Sequence, residues 1–323
     1  MQIGFTYDLK DDYLKDGFTE DQAAEFDSIE TIDGICFALT EAGHKVDRIG
    51  NCKSLVKRLS AGEKWDLVFN IAEGTNGIAR ESLIPALLEA YDIPYTFSSA
   101  AVLSLCLDKA LCKRVVSSFG FKTAPFIEVK SCADLDKINI PYPLFAKPVA
   151  EGTSKGVTGM SKVADRKELE RVCSELLAKY RQNVLVEKFL PGREFTVGIT
   201  GTGISAHVVG NIEIIYGEKA EKGIYSYANK ANYQDRITYA YATDATARKT
   251  EDLALAIYKS LDIRDAGRVD MRLGDDGEPY FIEVNPLAGL NPSVSDLPII
   301  AYKRGMTYLQ LIKEIVASAC ERL

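Results

Sequence analysis

The first hundred residues of the chain alternate between short apolar runs and longer amphipathic stretches. Apolar runs with a period of two are typical of strands, and stretches with a period near 3.6 are typical of helices. This alternation predicts an α/β domain in which a parallel sheet carries helices on both faces. Its strands are expected at residues 3–7, 45–49, 65–71 and 93–96, and its helices at residues 28–42 and 83–91.

Two further domains are expected, because 323 residues exceed what one hydrophobic core usually organises. The pattern changes after Ser99, where a helix over residues 100–119 leads towards a strand at 145–149. We expect domain limits of 1–99, 100–190 and 191–323. Further strands are expected at 183–187, 194–200, 207–215, 267–273 and 280–284, and helices at 165–180, 245–261 and 308–322.

Composition argues against several classes of function. The 39 basic and 46 acidic residues give a net charge of -7, which argues against nucleic acid or an anionic membrane as the main partner. No apolar run approaches the roughly 20 residues that span a bilayer, and the first residues read as a strand rather than a signal peptide, so we expect a cytoplasmic protein. The seven cysteines lack a C-x-x-C pair, which argues against a zinc cluster or a disulfide framework.

Two strand-like runs near the end of the chain bring oxygen ligands together. Arg268 and Asp270 lie in the first run, Glu283 and Asn285 lie in the second, and turn-like residues 274–277 separate the runs. Residues two apart on a strand project to the same side, and antiparallel pairing can place Asp270 beside Glu283. Two carboxylates and an amide oxygen suit Mg²⁺, with Mn²⁺ as an alternative. Taken alone, the two acids could also be solvated strand-end residues.

Residues 147–157 join a lysine at a strand end to a loop in which small hydroxyl residues lie between glycines. Backbone N–H groups of such a loop can bind nucleotide phosphates while the lysine supplies positive charge. The order of residues is not that of a Walker loop, and alone it fits a flexible hairpin nearly as well. The candidate nucleotide contacts are Lys147, Glu151, Gly152, Thr153 and Ser154.

A third pattern, VLVEKFLPGREFT, covers residues 184–196. The glycine-rich loop, this pattern and the pair of oxygen-rich strands follow one another along the chain. In that order they resemble the ATP-grasp enzymes, most closely their D-alanine–D-alanine ligase branch. The resemblance covers most of the chain. It implies a three-domain ATP-grasp architecture, α/β with α+β parts, with an N-terminal parallel-sheet domain and ATP held between the central and C-terminal domains.

The resemblance implies roles for individual residues in ATP binding. Glu187 would accept a hydrogen bond from the adenine amino group, Phe189 and Leu190 would line the adenine slot, and Glu194 would hold the ribose hydroxyls. From unaided chemistry the two glutamates could equally be solvated strand-end acids. Lys109 falls where the family has its other phosphate-contacting lysine, although a single helix lysine is usually just exposed.

The implied activity is that of a ligase that joins a carboxylate to an amine. ATP would phosphorylate the carboxylate, and an amine would attack the resulting acyl phosphate to give an amide. Mg²⁺ on the strand ligands would neutralise phosphate charge. Arg268 and the backbone N–H of Gly289 would stabilise the oxyanion, and Lys230 would lie near the terminal phosphate. The alanine ligases commonly have a tyrosine after this lysine, whereas this chain has Ala231.

The substrate-binding part departs from the family pattern. Glu73 stands in place of a histidine, and Arg80 and Glu81 replace an acidic pair. Glu25 aligns with the glutamate that grips the donor amino group. It lies in an acidic stretch, and such stretches are usually solvated faces, but acids there would favour a cationic substrate.

The serine that holds the acceptor carboxylate in the family has no strict equivalent. By count it falls on Val294, so Ser293 and Ser295 are the candidates. The partners implied are amino acids or other small carboxylates, and which carboxylate and which amine are joined stays open, as does assembly into a homodimer. A nucleotide-binding module of the same fold without chemistry is the alternative function.

Overall fold

The computed structural model describes residues 1–220, 224 and 233–323, which form three sheets with helices packed around them. The first sheet is parallel in the order β2-β1-β3, as the alternating pattern predicts. Its strands are β1 (Gln2–Thr6), β2 (Lys45–Gly50) and β3 (Leu67–Asn70). The strand expected at 93–96 is wrong: Tyr95 makes only an isolated bridge to Val68. Pro94 has no N–H to extend the ladder, and Phe97 turns the chain with a φ of 71°.

Helices of the N-terminal part pack around this sheet, namely α1 (Lys10–Lys15), α2 (Ile29–Glu41), α3 (Cys52–Ser60) and α4 (Leu83–Ala90). Helix α2 begins at Ser28, whose side chain accepts a hydrogen bond from the backbone N–H of Thr31. It buries Ile32, Ile35 and Leu39 at helical spacing. Helices α1 and α3 were not among the sequence predictions.

The helix expected over residues 100–119 is two helices, α5 (Ala100–Leu107) and α6 (Lys109–Ser118). Asp108 between them is extended, and its side chain accepts a hydrogen bond from the backbone N–H of Leu111. An aspartate N-cap therefore starts a new helix inside a continuous helical pattern. The break places Lys109 in the first turn of α6, where it is buried rather than exposed.

The second sheet has the antiparallel order β4-β7-β5-β6 and lies under α7 (Arg166–Tyr180). Its strands are β4 (Phe126–Val129), β5 (Leu144–Pro148), β6 (Lys162–Val163) and β7 (Val184–Lys188). Apolar side chains of β5, β7 and α7 form one core. The glycine-rich loop leaves this sheet at the end of β5.

The third sheet is antiparallel in the order β10-β9-β8-β11-β12. Its strands are β8 (Glu194–Thr200), β9 (His207–Tyr216), β10 (Ile237–Ala240), β11 (Ala266–Leu273) and β12 (Pro279–Asn285). The associated helices are α8 (Tyr233–Arg236), α9 (Ala245–Ser260), α10 (Asp296–Lys303) and α11 (Tyr308–Cys320).

The end of the chain returns to the first sheet. Buried side chains of β1, β3 and α2 share one apolar core with those of α10 and α11. A second core joins the third sheet to α9 and to Val116 of α6. No described helix is long and apolar enough to cross a membrane. The loop after β12 is thereby held against the N-terminal part of the chain.

Candidate active site

A cleft is lined by residues of the second and third sheets. Its apolar wall includes Phe145, Phe189 and Leu190, and its charged wall includes side chains from β5, β7, β8 and β12. Of the residues predicted to bind the nucleotide, the cleft is lined by Lys109, Lys147, Glu151, Ser154, Glu187, Phe189, Leu190 and Glu194. The fold thus gathers residues from four segments around one space.

Lysine and glutamate side chains alternate through the interior wall of this cleft. Lys113 Nζ lies 2.8 Å from Glu187 Oε2, and Lys147 Nζ lies 3.6 Å from Glu187 Oε1 and 3.1 Å from Glu283 Oε2. Lys109 Nζ lies 3.9 Å from the same Glu283 oxygen and donates a 2.6 Å hydrogen bond to the carbonyl of Glu151. Glu187 is therefore a buried, paired acid and not a solvated one.

Pairing with neighbouring cations keeps the two buried glutamates ionised. Burial alone would raise the pKa of Glu187, but the ammonium groups of Lys113 and Lys147 hold it below its ordinary value. The pKa of Glu283 is likewise held low, since Lys147, Lys109 and Arg268 outweigh burial. The wall presents lysine ammonium groups that can meet phosphate oxygens.

The candidate metal ligands lie on the paired strands that the sequence predicts. In the β11–β12 hairpin Asp270 pairs with Glu283 and Arg268 pairs with Asn285. Asn285 Nδ2 is 3.5 Å from Asp270 Oδ2, and Thr196 Oγ1 donates a 2.9 Å hydrogen bond to Asp270 Oδ1. Arg268 Nη1 lies 3.1 Å from Asp270. The solvated strand-end alternative is wrong, because both acids are largely buried.

The glycine-rich loop has a backbone that only some residues tolerate. Thr153 and Ser154 have φ angles of 49° and 56°, and Gly156 has a φ of 79°. A Cβ on Gly156 would lie 2.6 Å from Pro148 Cγ, so the loop folds tightly onto the end of β5. The loop connects β5 to β6, which pair antiparallel.

Glu194 and Phe189 form the opposite end of the cleft. Glu194 accepts hydrogen bonds from Tyr216 and, at 3.0 Å, from Arg272. The Arg272 guanidinium lies 5.0 Å from the centre of the Phe189 ring, and Lys162 Nζ lies 4.2 Å from it. An apolar ring beside a bonded carboxylate suits a planar base and a polyol.

A second and larger cavity adjoins the first. The two cavities share Lys109, Glu151 and Glu283 as lining residues. Of the predicted site residues, it is also lined by Glu25, Glu73, Gly152, Thr153, Arg268, Asn285, Gly289 and Ser295. The predicted oxyanion groups and substrate acids therefore surround one space beside the first cleft.

The two candidate serines differ in position. Ser295 lines the second cavity, and its Oγ accepts a 3.0 Å hydrogen bond from the backbone N–H of Asn291. Ser293 is not a lining residue; its hydroxyl donates a 2.7 Å hydrogen bond to Glu30. Val294, the strict positional match, does line the cavity.

Three carboxyl groups of the second cavity have raised pKa values. Burial raises the pKa of Asp27 to about 7, and burial raises that of Glu81 to about 7 against the lowering effect of Arg80. Burial, together with the charges of Glu81 and Glu25, raises the pKa of Glu73 well above its ordinary value. A bound cation would favour their ionised forms.

Several site residues were missed at the sequence level. Lys113 and Lys155 pair with Glu187 and Glu151, at 2.8 and 2.7 Å, and Arg272 lines the first cleft. The spacing offered a clue in one case, because Lys113 follows Lys109 by one helical turn. The predicted phosphate lysine Lys230 lies outside the described residues, as does Ala231.

Comparison with known proteins agrees with this geometry. Residues 115–317 match the family model described as D-ala D-ala ligase C-terminus. The D-alanine–D-alanine ligase of Bordetella petrii is 33% identical over 88% of this chain and 85% of its own length, and that of Aquifex aeolicus is 32% identical over 90% and 94%. The solved D-alanine–D-alanine ligase of Bacillus anthracis, complexed with ATP, superposes with a TM-score of 0.76 at 22% identity, covering 100% and 98% of the two chains. The chain therefore belongs to the D-alanine–D-alanine ligase family of ATP-dependent ligases.

Proposed function

We propose that this ligase activates the carboxylate of one amino acid with ATP and joins it to the amino group of a second. D-alanine is the first substrate to test, because the curated relatives are named for it. The observation that carries the proposal is that Lys109, Glu151 and Glu283 line both cavities. A phosphoryl donor in the first cavity and an acceptor carboxylate in the second would meet at this shared wall.

In this proposal the first cleft holds ATP. Phe189 and Leu190 would contact adenine, Glu194 would accept from the ribose hydroxyls, and Lys109 and Lys147 would contact phosphates. Both lysines are buried, and although burial lowers the pKa of Lys147, the neighbouring Glu283 and Glu187 hold it above its ordinary value, so its charge persists in a dry cleft. Phosphoryl transfer depends mainly on positioning and electrostatics, which such a wall supplies.

Mg²⁺ fits the residues of the β11–β12 hairpin. Among the described residues no group of three His, Cys, Asp or Glu side chains is arranged as a metal site. Asp270, Glu283 and Asn285 instead offer two carboxylates and one amide, which is the kind of incomplete set that Mg²⁺ uses together with nucleotide phosphates. When bound, the ion would neutralise phosphate charge.

The second cavity suits substrates that carry an ammonium group. Glu25, Asp27, Glu73 and Glu81 all line it. Arg268 and the backbone N–H of Gly289 lie on the same cavity, next to the shared wall, where they would stabilise an oxyanion formed when the amine attacks. The substrates are small molecules, and we propose amino acids among them.

The test is ADP formation by the purified protein with ATP, Mg²⁺ and a panel of single amino acids and pairs, D-alanine included. We expect ADP formation that depends on an amino acid and yields an amide product identified by mass spectrometry. The matched control is Asp270→Asn, which removes one ligand charge while keeping the side-chain shape. No ADP formation above the level of ATP alone, with any member of the panel, would contradict the proposal.

A further inference from the structure

Arg80 connects two parts of the chain that meet only in the folded protein. It begins a short 3-10 helix (Arg80–Ser82) after the loop that follows β3, and its side chain is 9% exposed. Arg80 Nη2 lies 2.7 Å from Glu25 Oε2, and Arg80 Nη1 donates a 2.8 Å hydrogen bond to the carbonyl of Ala150. Glu25 lies in the acidic stretch before α2, and Ala150 lies in the glycine-rich loop after β5.

Glu25 completes the connection. Its other oxygen, Oε1, accepts a 2.7 Å hydrogen bond from the backbone N–H of Gly152. Arg80, Glu25 and the loop therefore form a ring of three charge-assisted hydrogen bonds, with the Glu25 side chain only 6% exposed. Burial opposes the ionisation of Glu25, but Arg80 and Lys155 keep its pKa below the ordinary value.

The backbone around Arg80 is fixed as well. Gly74 has a φ of 73°, and a Cβ there would lie 2.6 Å from the carbonyl oxygen of Arg80. The loop after β3 therefore closes tightly behind the arginine. The guanidinium forms two bonds in different directions, to a carboxylate and to a carbonyl, which a lysine cannot reproduce.

The glycine-rich loop reaches both cavities. Ser154 and Lys155 line the first, whereas Gly152 and Thr153 line the second. We propose, on the basis of the proposed function, that Arg80 is a positioning residue that uses Glu25 to hold this loop in the geometry that binds nucleotide phosphates.

The experiment compares Arg80→Ala and Arg80→Lys with Arg58→Ala. Arg58 pairs with Asp47 and Glu63 in the N-terminal part of the chain, so its loss also removes an ion-paired arginine but one that does not contact the loop. Amide hydrogen exchange of residues 150–157 is followed by mass spectrometry, and KM for ATP and kcat are measured with the best amino acid.

We expect Arg80→Ala to speed exchange of these loop amides by about tenfold or more and to raise KM for ATP by a similar factor with a smaller change in kcat, as for a lost charge-assisted hydrogen bond. Arg80→Lys should give intermediate exchange. Arg58→Ala should leave both quantities unchanged. If Arg80→Ala fails to fold, the lysine variant carries the same comparison.

The outcomes separate this proposal from the ligase proposal. Loop exchange and KM for ATP that stay at wild-type values in the Arg80 variants overturn the positioning role, even where the wild-type protein forms ADP with an amino acid. Faster loop exchange in both Arg80 variants supports it, even where no amino acid of the panel is a substrate, because exchange is measured without catalysis.

Discussion

Lys147 Nζ lies 3.1 Å from Glu283 Oε2 and 3.6 Å from Glu187 Oε1, so one ammonium group is shared by acids of two different sheets. All three side chains are largely buried. Removing one member of a buried charge network destabilises a protein by more than the intact network stabilises it, because the remaining charges are left buried without their partner. Lys147 is therefore both a nucleotide contact in the proposed site and a structural requirement.

We predict that Lys147→Ala lowers the free energy of unfolding by about 3 kcal/mol, the typical cost of leaving a buried charge unpaired. Glu283 should carry most of this cost, since Lys113 still pairs with Glu187 at 2.8 Å, whereas Lys109 Nζ lies 3.9 Å from Glu283. Lys147→Arg keeps the charge and should lose less. Urea unfolding of the two variants and ATP binding by calorimetry measure the effects. Equal stability of the two variants would contradict the argument.

The conformation of the glycine-rich loop can be tested at Gly156. Gly156→Ala adds a Cβ at a φ of 79° and places it 2.6 Å from Pro148, so we predict that the loop shifts and KM for ATP rises at least about tenfold. Gly120→Ala is the matched control, because its φ is 86° but a Cβ there meets open space. The control should cost about 1 kcal/mol of stability and no activity. Similar KM values for both variants would show that the close approach does not matter.

The third sheet shows what the sequence could predict. Strand β8 spans the predicted residues, and the pairing of Asp270 with Glu283 follows from strand periodicity and a turn at residues 274–277. Strands and turns of this kind depend on residues that are close in sequence, so they can be predicted from local sequence patterns. The N-cap at Asp108 was also present as a pattern, but an uninterrupted helical spacing on both sides hid it.

Other features of the site depend on distant parts of the chain. Lys113 meets Glu187, and Arg80 meets both Glu25 and the glycine-rich loop, only because three sheets pack together. No local periodicity encodes these pairs, and a lysine or arginine on a helix is normally exposed. For the same reason, the burial of Glu187 could not be separated from a solvated strand end.

If Arg268 stabilises the oxyanion as proposed, substitutions of Arg268 and Arg272, both on β11, should affect different kinetic constants. Arg268→Ala should lower kcat by about 10² to 10³-fold while sparing much of ATP binding, because the lost donor acts on charge that forms during the reaction. Arg272→Ala should instead raise KM for ATP, since Arg272 bonds Glu194 and lies over Phe189 in the first cleft. Steady-state kinetics of both variants test this. Near-normal kcat in Arg268→Ala would refute the assignment.

Arg268 also pairs with Asp296 at 2.8 Å, so a stability control is needed. Arg268→Lys keeps a positive charge beside the two aspartates but not the guanidinium geometry. If it folds like the wild type and still loses most of kcat, the loss reflects the chemistry and not unfolding. Thermal unfolding of the three proteins supplies this comparison.

The raised pKa of Glu81 predicts how substrate binding depends on pH. This pKa is raised to about 7 because burial and the charge of Glu25, which raise it, outweigh Arg80 and Lys109, which lower it. A carboxyl group with a pKa near 7 goes from about one tenth to about nine tenths ionised between pH 6 and pH 8, so the affinity for an ammonium-bearing amino acid should rise by up to about tenfold. Calorimetric titration without ATP or Mg²⁺ measures this affinity.

The free energy of unfolding of the ligand-free protein should fall with rising pH, whereas the affinity for the amino acid rises. The folded protein keeps a proton on Glu81 that the unfolded chain releases above its ordinary pKa of 4.5, so the free energy of unfolding falls as pH rises from about 4.5 to about 7. Glu81→Gln should flatten both pH profiles, although Asp27, with its pKa of about 7, and Glu73, whose pKa is raised well above its ordinary value, leave a residual slope. Glu41→Gln, at the exposed end of α2, is the control and should reproduce the wild-type profiles. If the affinity of Glu81→Gln depends on pH as steeply as that of the wild type, groups other than Glu81 bind the ammonium group of the substrate.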